Sequence, residues 1–176
     1  DKQTELESVL RKRGKSDELE LLESDLPSAG QTSFTRQQEP LGLGHAVWCA
    51  RNMIGDEPFA LLLPDMVMQS EPGCLKQMMD VYAETGGGNV IAVETVPWAE
   101  VSRYGVVDFS KTDGLALAIN GMIEKPERDK APSNHIISGR YILQPEIFAK
   151  IESAKPGAGG EIQLTDAMIA LMEEQP

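Results

Sequence analysis

The stretch FALLLPD, residues 59–65, decides the fold. A short, uninterrupted apolar run of this kind is typical of a strand buried on both faces, as in α/β proteins. Asp65 is the last residue of this stretch and is separated from its apolar residues only by Pro64. Open α/β sheets bind their ligands at the carboxyl ends of the strands, so the sequence predicts an acidic side chain at that edge.

Helical and strand patterns alternate on both sides of this run. Upstream, the sequence predicts helices at 2–13 and 17–23, a strand at 32–37 and a helix that begins at the glycines near residue 44 and breaks near Gly55. Downstream it predicts a helix at 75–83, strands at 89–94 and 135–143, two strands joined by a turn at 112–114, and helices at 145–151 and before residue 174. This order predicts an α/β fold with a mostly parallel, mixed sheet flanked by helices. We expect a single domain over residues 1–176, incomplete at both ends.

Composition excludes several classes of partner. The 16 basic and 28 acidic residues give a formal charge of -12, and only 5% of residues are aromatic. Such a protein repels nucleic acid and anionic membranes, and it lacks the rings of a platform for stacked bases. A phosphorylated ligand must therefore be held by a few aimed side chains, backbone amides or a metal ion.

The cellular setting follows from what the sequence lacks. Cys49 and Cys74 fit neither a disulfide framework nor a metal-binding spacing. No apolar run approaches the length of a transmembrane helix, and no signal peptide opens the chain. We therefore expect a cytoplasmic protein with no membrane association.

Two segments suggest phosphate chemistry. In residues 36–46, Gly42 and Gly44 precede a helix, where free amides and the helix dipole face an approaching ligand; a tight strand-to-helix turn explains the glycines equally well. Asp65 could hold a magnesium ion that bridges phosphate oxygens, because magnesium favours one or two carboxylates plus phosphates. Aspartate also often turns the chain after a strand.

Two further segments are weaker signals when taken alone. After Tyr104 and Gly105, the pair Glu124 and Lys125 suits a sugar phosphate, since the carboxylate accepts bonds from hydroxyls and the ammonium offsets phosphate charge. Both reach one ligand only if the strand ends there, or they form a solvated charge pair. The segment at 156–166 is better explained as a loop and helix start than as a catalytic site. We expect both histidines, His45 and His135, to be structural.

Taken together, these motifs are specific. The segments RQQEPLGLGHAV (36–47), GDEPFALLLPD (55–65), RYGVV (103–107), EKP (124–126), APSN (131–134), GRYIL (139–143) and GAGGEIQLTDA (157–167) occur in that order. The series closely resembles the bacterial glucose-1-phosphate uridylyltransferase family over most of the chain from Arg36 onward.

The resemblance implies a Rossmann-like nucleotidyltransferase fold and a reaction. Members of the family form UDP-glucose and pyrophosphate from UTP and glucose 1-phosphate with magnesium, commonly as homo-oligomers (dimers or tetramers). Carried across by motif, Gln37 and Gly42 contact uracil, while Gly105 and Glu124 line the glucose site. The catalytic residues implied are Asp65, which holds magnesium, and Lys125, which meets the sugar phosphate.

The sequence also departs from the family. Met66 stands where many members have a second acid, so the metal site carries less charge. The family's glycine-rich loop, with its arginine and lysine, and a later segment with a further aspartate are not in the chain, so we expect these 176 residues alone not to turn over. A nucleotidylyltransferase that uses dTTP, or a non-catalytic homologue that binds sugar nucleotides and regulates a partner, are the alternatives.

Overall fold

The computed structural model describes residues 3–111 and 116–175, which divide into two compact units. The first unit, Asp1–Thr35, holds helices α1 (Thr4–Lys12) and α2 (Ser16–Ser24). The Arg11 guanidinium donates to the Glu23 carboxylate at 2.8 Å and joins the two helices. Both helices confirm the prediction from the sequence.

The second unit, Arg36–Pro176, holds the sheet. In chain order its elements are α3 (Leu43–Trp48), α4 (Arg51–Ile54), β1 (Phe59–Leu62), α5 (Cys74–Glu84), β2 (Val90–Thr95), β3 (Gly105–Lys111), β4 (Leu117–Glu124), β5 (His135–Leu143), α6 (Ile147–Ser153) and α7 (Leu164–Met172). The predicted pair of strands is the hairpin of β3 and β4, whose turn at 112–114 lies outside the described residues. None of the helices in the described ranges is long and apolar enough to cross a membrane.

Strand β5 is the centre of the sheet. It pairs antiparallel with β1, with β2 and, at Val106 and Ile136, with β3. Because Ile142 is paired with both Ala60 and Val90, β1 and β2 lie on opposite edges of β5. The β3–β4 hairpin continues the sheet beyond β5, because β3 pairs with β5 and β4 pairs with β3.

The helix-flanked α/β fold is confirmed, but the expected parallel pairing is not. All pairs among the described strands are antiparallel. Strands β1 and β2 do run in one direction and are connected through α5, as the strand–helix–strand pattern predicts. Strand β5 comes later in the chain and inserts between them in the opposite direction. Local periodicity carries no information about such an insertion.

Two local predictions were also wrong. Residues 32–37 form no strand, and Phe34 is 71% exposed. None of the described strands pairs with this segment, and an extended segment without a ladder partner is not stable. Strand β1 is not buried on both faces, because its residues alternate between half-buried and exposed. Phe59 stacks on Phe148 of α6 on the core side, whereas Leu62 on the other side is 46% exposed.

The core of this unit packs α3, α6 and α7 against the sheet. Its fully or nearly fully buried aliphatic residues include Val107, Leu143, Ile147, Ile151, Leu164 and Leu171. Each buried side chain of this size stabilises the fold by about 1.5–3 kcal/mol. The packing fixes the first turn of α7 beside the end of β4, which carries Glu124.

Candidate functional site

Strand β4 ends at the predicted Glu124–Lys125 pair. Lys125 has a φ of +45°, a left-handed conformation that is rare for a residue with a side chain, and its amide donates to the carbonyl of Tyr104 at 3.0 Å. The reversal brings the Lys125 Nζ within 3.8 Å of the Glu124 Oε1. Two neighbours that would point to opposite faces of a continuing strand therefore share one side. Backbone strain of this kind costs on the order of 1–3 kcal/mol and is concentrated at functional sites.

The other oxygen of Glu124 is bonded to the start of helix α7. Thr165 Oγ1 donates to Glu124 Oε2 at 2.7 Å, and Thr165 is only 7% exposed. Gly105, paired with Glu124 across the hairpin, leaves room for this bond. A Cβ at residue 105 would lie 3.2 Å from Glu124 Oε2 and 3.0 Å from the Ile137 side chain. Gly105 therefore contributes by its lack of a side chain, which leaves room for the Glu124 carboxylate.

A small cavity of about 120 Å³ opens at this point. Its lining includes Leu43, Gly105, Glu124, Ile137, Tyr141 and Thr165. Burial, together with the negative charges of Glu124 and Asp65, raises the pKa of Tyr141 to about 12. The hydroxyl therefore stays protonated at neutral pH. Both carboxylates therefore influence the same tyrosine hydroxyl electrostatically, although they lie far apart in the sequence.

The turn after β1 carries Asp65 and is clamped by residues of β5. The Arg140 guanidinium donates to the carbonyls of Leu63 at 2.6 Å, Gly139 at 3.0 Å and Met66. The Leu63 amide donates in turn to the Gly139 carbonyl at 2.9 Å. A guanidinium fork with several donors suits such a set of carbonyl acceptors.

Glycine is required at residue 139 in this turn. Its φ is +61°, and a Cβ there would lie 2.9 Å from Met66 Cγ and 3.2 Å from Leu63 Cβ. Both the backbone conformation and the space therefore exclude a side chain. Gly139 and Arg140 together fix the backbone on either side of Asp65.

The Asp65 carboxylate itself is exposed, and no hydrogen bond or ion pair joins it to another residue in the described ranges. Groups of three or more His, Cys, Asp or Glu side chains suited to a metal ion are also absent from those ranges. A single free carboxylate fits magnesium, which is commonly held by one or two carboxylates with substrate phosphates and water. It does not fit calcium or zinc, which need more protein ligands.

Gln37 lies in the glycine-rich loop before α3, half-buried. Its Nε2 donates to the Gly42 carbonyl and to His45 Nδ1, each at 3.0 Å. A carbonyl only accepts hydrogen bonds, so the amino group of Gln37 must face it. His45 then accepts at Nδ1 and carries its proton on Nε2, which is 4.0 Å from Cys49 Sγ. Both amino hydrogens of Gln37 are used, and Oε1 is left as an acceptor for a ligand.

The loop of residues 41–44 rests on the segment at 161–163. The Gly44 amide donates to the Ile162 carbonyl at 2.9 Å, and the Ile162 amide donates to the Leu41 carbonyl at 2.7 Å. Gly42 has a φ of +99°, and a Cβ on it would lie 2.7 Å from Glu161 Cβ. The close approach of the two segments explains why residues 42 and 44 are both glycine. Two motifs separated by more than a hundred residues thus form one surface beside the cavity.

A larger cavity, of about 610 Å³, lies elsewhere in this unit and is lined by residues of α5, β2, β4 and α7. The described residues of its lining are mostly apolar and include no charged side chain. A phosphate would find no counter-charge there. The smaller cavity, with Glu124 and nearby Lys125, is therefore the candidate site.

The structure brings most of the predicted residues to one region. Gly105 and Glu124 line the cavity, Lys125 lies beside Glu124, and Asp65 influences the same tyrosine as Glu124. Gln37 and Gly42 lie in the loop before α3, and Leu43, the first residue of α3, lines that cavity. Within the described residues, no hydrogen bond links Gln37 to Asp65 or Glu124.

Sequence reasoning missed four residues of the site. It treated Thr165 only as a helix start and His45 as structural, and it assigned no role to Arg140 or Tyr141. The available signal was a polar side chain within an otherwise apolar segment, such as Arg140 in β5 and Thr165 in α7. Their partners lie too far away in the sequence to be identified from spacing.

Comparisons with known proteins identify the family of the chain. The nucleotidyl transferase family model matches residues 4–176. A UTP–glucose-1-phosphate uridylyltransferase of Bacillus subtilis is 47% identical over 171 residues, which cover 97% of the chain and 58% of the relative. The resemblance seen in the motifs is confirmed.

Solved structures give the same result. A UDP-glucose pyrophosphorylase complexed with UDP-glucose is 39% identical with a TM-score of 0.77, over 82% of this chain and 56% of that chain. A UTP-bound UGPase from Acinetobacter baumannii is 35% identical with a TM-score of 0.76, over 99% of this chain and 61% of that one. The chain spans about 60% of the length of the curated relatives that it matches.

Proposed function

The chain belongs to the nucleotidyl transferase family, and we propose on this basis that the full-length protein transfers UMP from UTP to glucose 1-phosphate. The products are UDP-glucose and pyrophosphate. The observation that carries the proposal is the Glu124–Lys125 pair, in which Glu124 lines the cavity and Lys125 Nζ lies 3.8 Å from its Oε1. The pair combines an acceptor for sugar hydroxyls with a positive charge for a phosphate. A sugar phosphate presents both hydroxyl donors and a phosphate anion, which are the partners that these two groups suit.

The proposed reaction needs no nucleophile from the protein. An oxygen of the sugar phosphate attacks the α-phosphorus of UTP and forms a new P–O bond. The bond from the α-phosphorus to the oxygen that bridges to the β-phosphorus breaks, and pyrophosphate leaves with the electron pair. Since both reacting groups are anions, positioning and charge neutralisation carry the rate.

Each residue of the site has a role in this scheme. Lys125 offsets the charge of the sugar phosphate, and Glu124 accepts hydrogen bonds from sugar hydroxyls. Asp65 would hold magnesium, which when bound supplies positive charge between the phosphates. Gly42 keeps the loop packed against residues 161–162, because a Cβ on it would lie 2.7 Å from Glu161 Cβ; the contact with uracil that the resemblance implies for Gly42 stays a prediction.

Gln37 would recognise the base through its free Oε1. That acceptor suits the imide N–H of uracil and rejects cytosine, which has an acceptor at the same ring position. Thymine shares the imide N–H with uracil, so Gln37 does not separate UTP from dTTP. A dTTP-using enzyme therefore remains the second candidate. The cytoplasmic location and the homo-oligomer expected from the sequence stay predictions.

A nucleotide panel tests the proposal. The full-length protein is incubated with magnesium, glucose 1-phosphate and either UTP, dTTP or CTP, and the sugar nucleotide and pyrophosphate are quantified. We expect kcat/KM to be highest with UTP and negligible with CTP. Preference for dTTP would select the second candidate, and no product with any nucleotide would favour the regulatory homologue. The 176-residue chain alone is expected to give no product.

A further inference from the structure

We propose that Thr165 is a positioning residue that holds the Glu124 carboxylate in place for the sugar phosphate, an inference that rests on the proposed function. The hydroxyl of Thr165 donates to Glu124 Oε2 at 2.7 Å. The residue touches Glu124 rather than the reacting atoms. Its effect is therefore expected in sugar binding.

The two oxygens of Glu124 have different surroundings. Oε2 accepts from Thr165, while Oε1 lies 3.8 Å from Lys125 Nζ. The Glu124 side chain is 17% exposed, so one part of it still faces the cavity. A fixed donor on Oε2 leaves Oε1 and the remaining lone pairs available as acceptors for sugar hydroxyls.

The donor itself is rigidly placed. Thr165 is in the first turn of α7, between Leu164 at 2% and Ala167 at 1% exposure. The helix is anchored by buried side chains, so the hydroxyl is presented at a fixed point. A flexible glutamate loses rotamer freedom when it binds a ligand, and holding it in advance lowers that cost.

A purely local role for the hydroxyl does not account for this geometry. Threonine near a helix start commonly caps the free amides. Here the N-cap residue is Gln163, with no side-chain capping bond, and the hydroxyl of Thr165 is directed at a carboxylate 41 residues away. Gly105 leaves the space for this bond, since a Cβ there would lie 3.5 Å from Thr165 Oγ1 and 3.2 Å from Glu124 Oε2.

The test compares two substitutions in the full-length protein. Thr165→Val removes the hydroxyl at nearly constant shape, and Thr165→Ser keeps it. We expect Thr165→Val to raise KM for glucose 1-phosphate about tenfold, the weight of one hydrogen bond to a charged group, and to leave KM for UTP within about twofold. Thr165→Ser should restore most of the affinity. Thr85→Val, at the exposed end of α5, should change neither constant.

Glu124→Gln separates the inference from the proposed function. If it raises KM for glucose 1-phosphate while Thr165→Val does not, the positioning role is wrong and the sugar site stands. If it leaves that KM unchanged, the sugar-site role of Glu124 and the positioning role of Thr165 are both wrong. If the unsubstituted protein makes no UDP-glucose, the proposed function is wrong and the inference that rests on it falls with it. Equal rises of KM for both substrates in Thr165→Val, or failure of Thr165→Ser to restore affinity, would show a structural role and overturn the inference.

Discussion

The two acidic residues of the site are held in opposite ways. At Asp65 the backbone is fixed, by the hydrogen bonds of Arg140 to the carbonyls of Leu63 and Met66, and the side chain is free and exposed. At Glu124 the side chain itself is fixed, by Thr165, and is mostly buried.

The difference matches the two ligands proposed. A hydrated cation adapts its own water shell to the site. The carboxylate that binds it therefore needs only a fixed backbone and a side chain that is open to solvent. Sugar hydroxyls have set directions, so the oxygen that accepts from them has to be fixed in advance. The comparison therefore predicts that changes at Asp65 affect metal dependence and turnover, whereas changes at Glu124 affect sugar affinity.

The largest effect is expected from removing the charge of Asp65. Asp65→Asn should lower kcat by about a hundredfold or more, because it weakens the hold on an ion that offsets the charge of the transferring phosphates. Steady-state kinetics over a range of magnesium concentrations measure this. Asp56→Asn, an exposed acid before β1, serves as the matched control and should leave kcat unchanged. Unchanged kcat in Asp65→Asn would contradict the metal assignment.

Next in size is the loss of the clamp on the Asp65 backbone. Arg140→Met keeps much of the side-chain length and removes all its donors. We expect it to lower the free energy of unfolding by about 2–3 kcal/mol and to shift activation to higher magnesium concentration, with KM for glucose 1-phosphate little changed. Denaturant unfolding and a magnesium titration test the two effects. A rise in the sugar KM alone would contradict the division between the two regions.

A pair of glycine substitutions sharpens the comparison further. Gly139→Ala brings a methyl group within 2.9 Å of Met66 Cγ, and Gly105→Ala brings one within 3.2 Å of Glu124 Oε2. We expect the first to weaken magnesium activation severalfold and the second to raise KM for glucose 1-phosphate severalfold, each leaving the other constant near its original value. Since the chemical change is the same, each variant is the control for the other. Identical kinetic profiles would show that the two regions are not independent.

The smallest effect concerns Tyr141, whose pKa both carboxylates raise. Its pKa is raised from 10.0 to about 12, first by burial, then by Glu124 and then by Asp65. Glu124→Gln should therefore lower this pKa more than Asp65→Asn, and both should leave it above 10.0 because burial remains. Ultraviolet titration of the phenolate, with Tyr141→Phe as the reference, measures the order; the reverse order would contradict it.

The same shift gives a pH dependence of stability. Between about pH 10 and 12 the unfolded tyrosine loses its proton while the folded one keeps it, so the free energy of unfolding falls as pH rises through this window. Below pH 10 the contribution is constant. Tyr141→Phe should remove this part of the fall.

Much of the fold was predictable because it follows from local pattern. The helices at α1, α2 and α5 and the strands at β1, β2 and β5 lie close to where apolar periodicity placed them. Strand β4 ends at Glu124, which is the condition under which Glu124 and Lys125 were expected to reach one ligand. The parallel pairing and the strand at 32–37 were wrong, since a strand's neighbours are set by segments distant in the chain.

The sequence by itself determined the chemical types of the site: a carboxylate after a strand, a carboxylate beside an ammonium, and glycines before a helix. The ordered motifs also determined the family. Only the tertiary structure decided that the Asp65 backbone is clamped by Arg140, that Glu124 is held by Thr165, and that residues 41–44 rest on residues 161–163. These contacts join segments from 41 to more than a hundred residues apart. They arise where packing of the core brings strand ends and helix starts together, and such packing is a property of the whole chain rather than of any window within it.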